Sequence, residues 1–112
     1  MAFMGSVALP VLPGKTERVR NIGKEIAAHQ AEWDRLCRET GAFQHYNVTL
    51  QESPQGDLCI YSMVLEDPGK VRMAFGETPY DQWWLAFVKD VHGLDIKHGA
   101  PLPPSVFTWR AA

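Results

Sequence analysis

The stretch "LCIYSMVL", residues 58–65, decides the fold. One parity of it holds Leu58, Ile60, Ser62 and Val64, and the other holds Cys59, Tyr61, Met63 and Leu65, so a strand here is apolar on both faces. An antiparallel strand in a one-layer sheet normally turns one face to water. A strand that is greasy both ways is central, with helices over one face and further protein over the other. Immediately upstream, "ESPQGD" (52–57) reads as a hairpin connection, with Gly56 available for positive φ. Residues 42–51, "AFQHYNVTLQ", supply its partner strand. Tyr46, Val48 and Leu50 lie on one side of it, and His45, Asn47 and Thr49 on the other. The polar trio suits a solvent-facing edge.

Further outward, Phe3, Val7, Leu9 and Val11 share one parity and predict a first strand, with Pro10 and Pro13 closing it. "PGKTE" then opens a helix, with Gly14 or Thr16 as cap and Glu17 placed well for the helix dipole. Val19, Ile22, Ile26, His29, Trp33 and Leu36 form one continuous stripe ending before Gly41. A straight helix over residues 15–40 would be about 39 Å long. That overhangs a strand of six or seven residues, about 23 Å, so a bend or break between Gly23 and His29, or a protruding last turn, is expected. After residue 65, "DPGKVRMAFGE" predicts a short helix capped by Asp67. Thr78-Pro79 opens a further helix whose Tyr80, Trp83, Trp84, Phe87, Val88 and Val91 make one broad face. A Pro/Gly-rich stretch leads to "SVFTWR" (105–110), expected as the last strand.

Strand, helix, strand, strand, helix, strand is the α+β, ferredoxin-like βαββαβ arrangement. It is expected over 1–112 as one domain, a four-stranded antiparallel sheet with its helices on one face. The other face would be bare and, by the third strand, apolar. Covering it with a second copy predicts a homodimer.

Composition excludes several classes. Net charge is −2, so no basic field draws nucleic acid or an anionic membrane, and the third strand lacks the basic/aromatic pattern of an RNA-binding sheet. No apolar run is long enough to span a bilayer, and the N-terminus lacks the charged start of a secretory signal. Cys37 and Cys59 fit no metal or disulfide spacing and read as buried free thiols of a cytoplasmic protein. No two histidines have ligand spacing and no carboxylate–histidine cluster stands out, so no metal is expected.

The tryptophans and histidines remain. A stripe at helical spacing is ordinarily core, yet two adjacent tryptophans are bulky for a thin helix–sheet interface, and each buried indole N–H wants an acceptor. His29 takes a seam position where an aliphatic residue is expected and must find a partner. It is either a satisfied core histidine or a pocket residue. His92 closes the row 84–88–92 just before Gly93 and serves either the last helical carbonyls or a proton-handling role. His98 has no assignable partner.

The order of elements, the "LPGKTE" opening of the first helix (12–17), and "GDLCIYSMVLEDP" (56–68) followed by "YDQWWLAFVKDVHGLDI" (80–96) resemble the dimeric α/β barrel superfamily. That group includes antibiotic biosynthesis monooxygenases and haem-degrading monooxygenases, and the likeness is greatest to a small bacterial branch with no assigned activity. The resemblance implies two sheets packed face to face across a dimer, with a site between sheet and helices in each subunit. It implies a cofactor-independent, monooxygenase-like enzyme acting on a small hydrophobic or aromatic substrate; such chemistry needs a dry aromatic lining, which Trp33, Trp84 and Phe87 could supply, and proton-handling groups, which His29 and His92 could supply. The alternative is a non-catalytic dimer that binds a small ligand or another protein. The haem-degrading pattern pairs a first-strand asparagine with a tryptophan and a histidine on the second helix. Trp84 and His92 are present here, and the asparagine is not.

Overall fold

The computed structural model describes residues 3–40, 43–66, 79–96, 103–107, 109 and 111. The described elements are strand β1 (Phe3–Pro10), helices α1 (Thr16–Arg20), α2 (Ile22–Ala27) and α3 (Gln30–Thr40), strands β2 (Phe43–Gln51) and β3 (Leu58–Leu65), and helix α4 (Pro79–His92). The chain is thus α+β. The short helix expected after Asp67 and the loop carrying His98 lie outside the described residues.

The central strand is the one its two apolar parities indicate. The sheet order is β1-β3-β2, with β3 antiparallel to both neighbours. β1 and β2 therefore run parallel to each other with β3 between them. Cys59, Tyr61, Met63 and Leu65 are buried against the helices, and Leu58, Ile60, Ser62 and Val64 are half-buried on the far face. Between β2 and β3, Gly56 takes φ 123° and its N–H bonds the Ser53 carbonyl at 3.1 Å. Asp57 steadies the turn by accepting from the Ser53 N–H (3.3 Å) and from the Thr16 hydroxyl (2.7 Å), pinning the hairpin to α1. Thr16 is thereby diverted from the cap, and Lys15 occupies that position without a side-chain cap bond.

The long helical stripe is cut twice. The second cut, at Ala28–His29, falls at the end of the expected range, and the first, at Asn21, precedes it. The Asn21 side chain donates to the Glu17 carbonyl at 2.8 Å, and its backbone sits at φ −95°, ψ 8°. Local side-chain bonding of this kind competes with the helix ladder. The breaks fold three short helices back over the sheet, so Val19 and Ile22 reach the core that one straight rod would overshoot.

The core joins these residues to the odd parity of β3 and to Tyr80, Trp84, Phe87, Val88 and Val91 of α4. α4 stops at Gly93, whose φ of 71° is a conformation favouring glycine at the residue after a helix. The end of α4 is tied to the end of β1, where the Leu12 N–H bonds the Val91 carbonyl at 2.8 Å.

Two expectations need correction. Among the described residues the sheet has three strands, and Ser105, Val106, Phe107 and Trp109 of the anticipated last strand lie outside regular structure and are exposed. The uncovered sheet face is also not uniformly greasy. Its β1 and β3 columns are Met4, Ser6, Ala8, Pro10 and Leu58, Ile60, Ser62, Val64, whereas β2 contributes the exposed polar column His45, Asn47, Thr49 and Gln51. Ser6 and Ser62 face each other across it, Oγ to Oγ at 3.4 Å.

Candidate functional site

Aromatic side chains gather between the helices and the inner face of the sheet. Trp84 sits at the centre. Its ring centroid lies 5.7 Å from Trp33, 6.3 Å from Tyr46, 6.5 Å from Tyr80, 4.9 Å from Trp83 and 5.9 Å from Phe87. The helical spacing of α4 puts residues 80, 84 and 87 on its sheet-facing side, and Trp33 reaches the group from α3 with an edge-on contact to Tyr46 at 5.1 Å. Edge-to-face pairs of this kind add attraction beyond burial alone. Phe87 is fully buried, and the Arg18 guanidinium stands 4.8 Å above its ring. The sequence candidates Trp33, Trp84 and Phe87 are therefore assembled, Trp84 touching the other two.

Trp84 is 3% exposed, and its indole Nε1–H meets no acceptor among the described residues. A buried donor left unbonded costs about 1–3 kcal/mol. Packing alone does not account for this donor.

The two histidines occupy opposite ends of this chain of rings. His29 lies in the turn between α2 and α3, where its carbonyl accepts the Trp33 N–H at 3.0 Å. Its ring is half-buried at the rim, 5.7 Å from Tyr80 and 6.0 Å from Trp83. The seam position is thus a turn position, which admits a polar ring without burying it.

His92 is 5% exposed and engaged at both nitrogens. Nδ1 lies 2.7 Å from the Pro10 carbonyl oxygen and Nε2 lies 2.8 Å from the Tyr61 hydroxyl. A carbonyl only accepts, so Nδ1 carries the proton and donates, and Nε2 of the neutral ring accepts from the Tyr61 O–H. Burial lowers the His92 pKa, a shift opposed by the hydrogen bond to Pro10, and burial also pushes the Tyr61 hydroxyl and the Cys59 thiol up. The arrangement holds a neutral imidazole as a clamp between α4, β1 and β3. His92 bonds the Pro10 carbonyl of β1 in place of the last helical carbonyls. Its partner was nonetheless hinted at in the sequence, since a tyrosine on the inner parity of a central strand brings a hydroxyl that needs a bond.

Arg18 is a second residue that periodicity alone does not single out. It bonds Glu25 through Nη2 at 3.0 Å and Asp90 through Nη1 at 2.8 Å, and Lys15 joins Asp90 at 2.8 Å. These cations hold the Asp90 carboxyl below its ordinary range, while the hydrogen bond to Glu25 raises the Arg18 pKa further. The cluster binds α1 and α2 to α4 over the outer side of Phe87. Among the described residues no group of three His, Cys, Asp or Glu side chains could hold a metal ion, and no helix is long and apolar enough to cross a membrane. No family model, no curated protein and no solved structure matches this chain.

Proposed function

We propose that this chain is a homodimeric binding module of the dimeric α/β-barrel kind, joined through the uncovered sheet face, that holds a small hydrophobic or aromatic molecule bearing one hydrogen-bond acceptor. The observation that carries the reading is the buried Trp84 indole N–H, set among Trp33, Tyr46, Trp83 and Phe87 without an acceptor among the described residues. Apolar walls with a few placed polar groups are what small-molecule sites consist of. An aromatic carbonyl compound matches both properties. Binding without conversion is favoured by His92, since a general acid or base has to reach the reacting group, and both nitrogens of this ring are committed inside the fold.

Calorimetric titration with a panel of small aromatic aldehydes and ketones tests this, the parent against Trp84→Phe. The substitution keeps a ring and removes the donor. The expected result is saturable binding to the parent, weakened about tenfold in the variant, the worth of one buried hydrogen bond. Equal affinity in both proteins, or no binding to the parent by any of the panel, overturns the reading.

One observation favours the monooxygenase-like alternative. His29, half-buried at the rim and touching Tyr80 and Trp83, is placed where a proton-handling group could meet both a bound molecule and water. Oxygen consumption in the presence of a binding compound, abolished by His29→Ala at unchanged affinity, would establish it.

A further inference from the structure

Tyr61 and His92 form a pair that the binding site leaves unused. Both are buried, at 4% and 5% exposure, and the phenol oxygen lies 2.8 Å from Nε2. The Pro10 carbonyl, 2.7 Å from Nδ1, keeps that nitrogen protonated, so the nitrogen facing Tyr61 is the one that can take up a proton. Burial raises the Tyr61 pKa, and the hydroxyl stays protonated. Loss of an electron turns such a phenol into a strong acid, whose proton then passes to a base already in hydrogen-bond contact.

An electron, unlike a proton, can leave a buried pair across packed rings without either member touching the oxidant. The rings are in place. Tyr46 lies 6.3 Å from Tyr61 between centroids, and Trp33 and Trp84 lie 5.1 Å and 6.3 Å from Tyr46. Trp84 continues to Trp83 at 4.9 Å. Aromatic rings at these separations are in packing contact. Trp33 and Trp83 are half-buried, so the series runs from indoles that reach the surface to a phenol that does not.

We propose that Tyr61 is a one-electron redox centre, oxidised through the tryptophans by a dissolved aryl radical or high-potential metal complex, with His92 as its proton acceptor. The oxidant takes one electron from a rim indole and is itself reduced by one. The indole radical cation is refilled from Tyr61 across Tyr46. The Tyr61 O–H bond breaks and the proton bonds His92 Nε2, leaving a neutral phenoxyl radical beside an imidazolium whose Nδ1–H still donates to Pro10. Return of an electron brings the proton back along the same contact. No molecule need be bound among the tryptophans, so the relay is independent of the binding reading.

Flash photolysis of the full chain with a ruthenium tris-bipyridyl sensitiser and a sacrificial electron acceptor tests this. Transient absorption follows the radicals, and electron paramagnetic resonance on frozen samples identifies them. The expected result is an indole radical whose decay matches the rise of a tyrosyl radical, slower in heavy water because a proton moves with the electron. The tyrosyl signal is expected to be lost in Tyr61→Phe, which keeps Tyr46 and Tyr80, and in His92→Phe, each shown by circular dichroism to be folded. A tyrosyl signal that survives either substitution, a radical that stays on an indole or settles on sulfur, or formation at an equal rate in light and heavy water overturns the relay. Should His92→Phe fail to fold, the heavy-water comparison on the parent decides the proton step by itself.

Discussion

Replacing His92 by alanine tests whether the clamp between α4, β1 and β3 holds the fold together. The ring removed is the acceptor of the Tyr61 hydroxyl and the donor to the Pro10 carbonyl. The Tyr61 hydroxyl loses its partner in a buried site, about 1–3 kcal/mol, the part-buried Pro10 carbonyl costs less, about 1 kcal/mol, and the vacated ring volume adds a cavity cost of about 1 kcal/mol. The sum is about 3–5 kcal/mol, a large part of the stability of a domain this size. Tyr61→Phe removes only the donor to Nε2 and costs about 1–3 kcal/mol. Because the two changes remove the same bond, the double variant falls short of their sum.

The pH dependence supplies an independent check. The folded-state pKa of His92 lies below its ordinary value of 6.5, so near neutrality the ring is unprotonated in both folded and unfolded chains. As pH falls through about 6.5 the unfolded chain takes up a proton that the folded chain refuses, and stability declines until the folded pKa is passed. The slope is at most about 1.4 kcal/mol per pH unit. His92→Ala has no such proton to exchange. Its cost, measured by urea denaturation at fixed protein concentration, is therefore greatest above pH 7 and shrinks toward pH 5.5. A cost below about 1 kcal/mol at pH 7.5, or one that grows on acidification, refutes the hydrogen-bonded neutral clamp.

Arg18→Ala is expected to lower stability by about 1–2 kcal/mol through loss of its partly buried links to Glu25 and Asp90 and of the cation over Phe87, with a smaller cost at 1 M salt, which denaturation at two ionic strengths reads directly. Cys59 is completely buried and its thiol is pushed up by burial, so in a Cys37→Ser background a colorimetric thiol reagent is expected to react only as fast as the chain unfolds. Rapid labelling of the native variant would show that β3 is not the protected centre of the sheet.

Much of this protein was legible before any coordinates, and for local reasons. Period two on both parities of 58–65 made β3 central, and the polar parity of His45, Asn47 and Thr49 made β2 an edge. The 3.6 period of residues 80–91 set the buried face of α4 and so brought Trp84 and Phe87 inward. Those patterns depend only on how side chains project from regular backbone. Which rings meet was not legible, because Trp33 reaches Tyr46 and Trp84 across three separate elements.

The sequence alone also left His29 and His92 with two readings each, and tertiary structure separated them by where the neighbouring hydrogen bonds go. His92 lies 82 residues from the Pro10 carbonyl and 31 from Tyr61, and no local spacing encodes those partners. His29 took a turn because Asn21 and the length of the sheet divide the helical stripe, a competition between side-chain bonding and the reach of a straight helix. The last strand shows the same limit from the other side. Residues 105–110 have the composition of a strand, but composition confers only the capacity to pair. Whether they do so is decided by the rest of the fold, and Ser105, Val106, Phe107 and Trp109 lie outside regular structure.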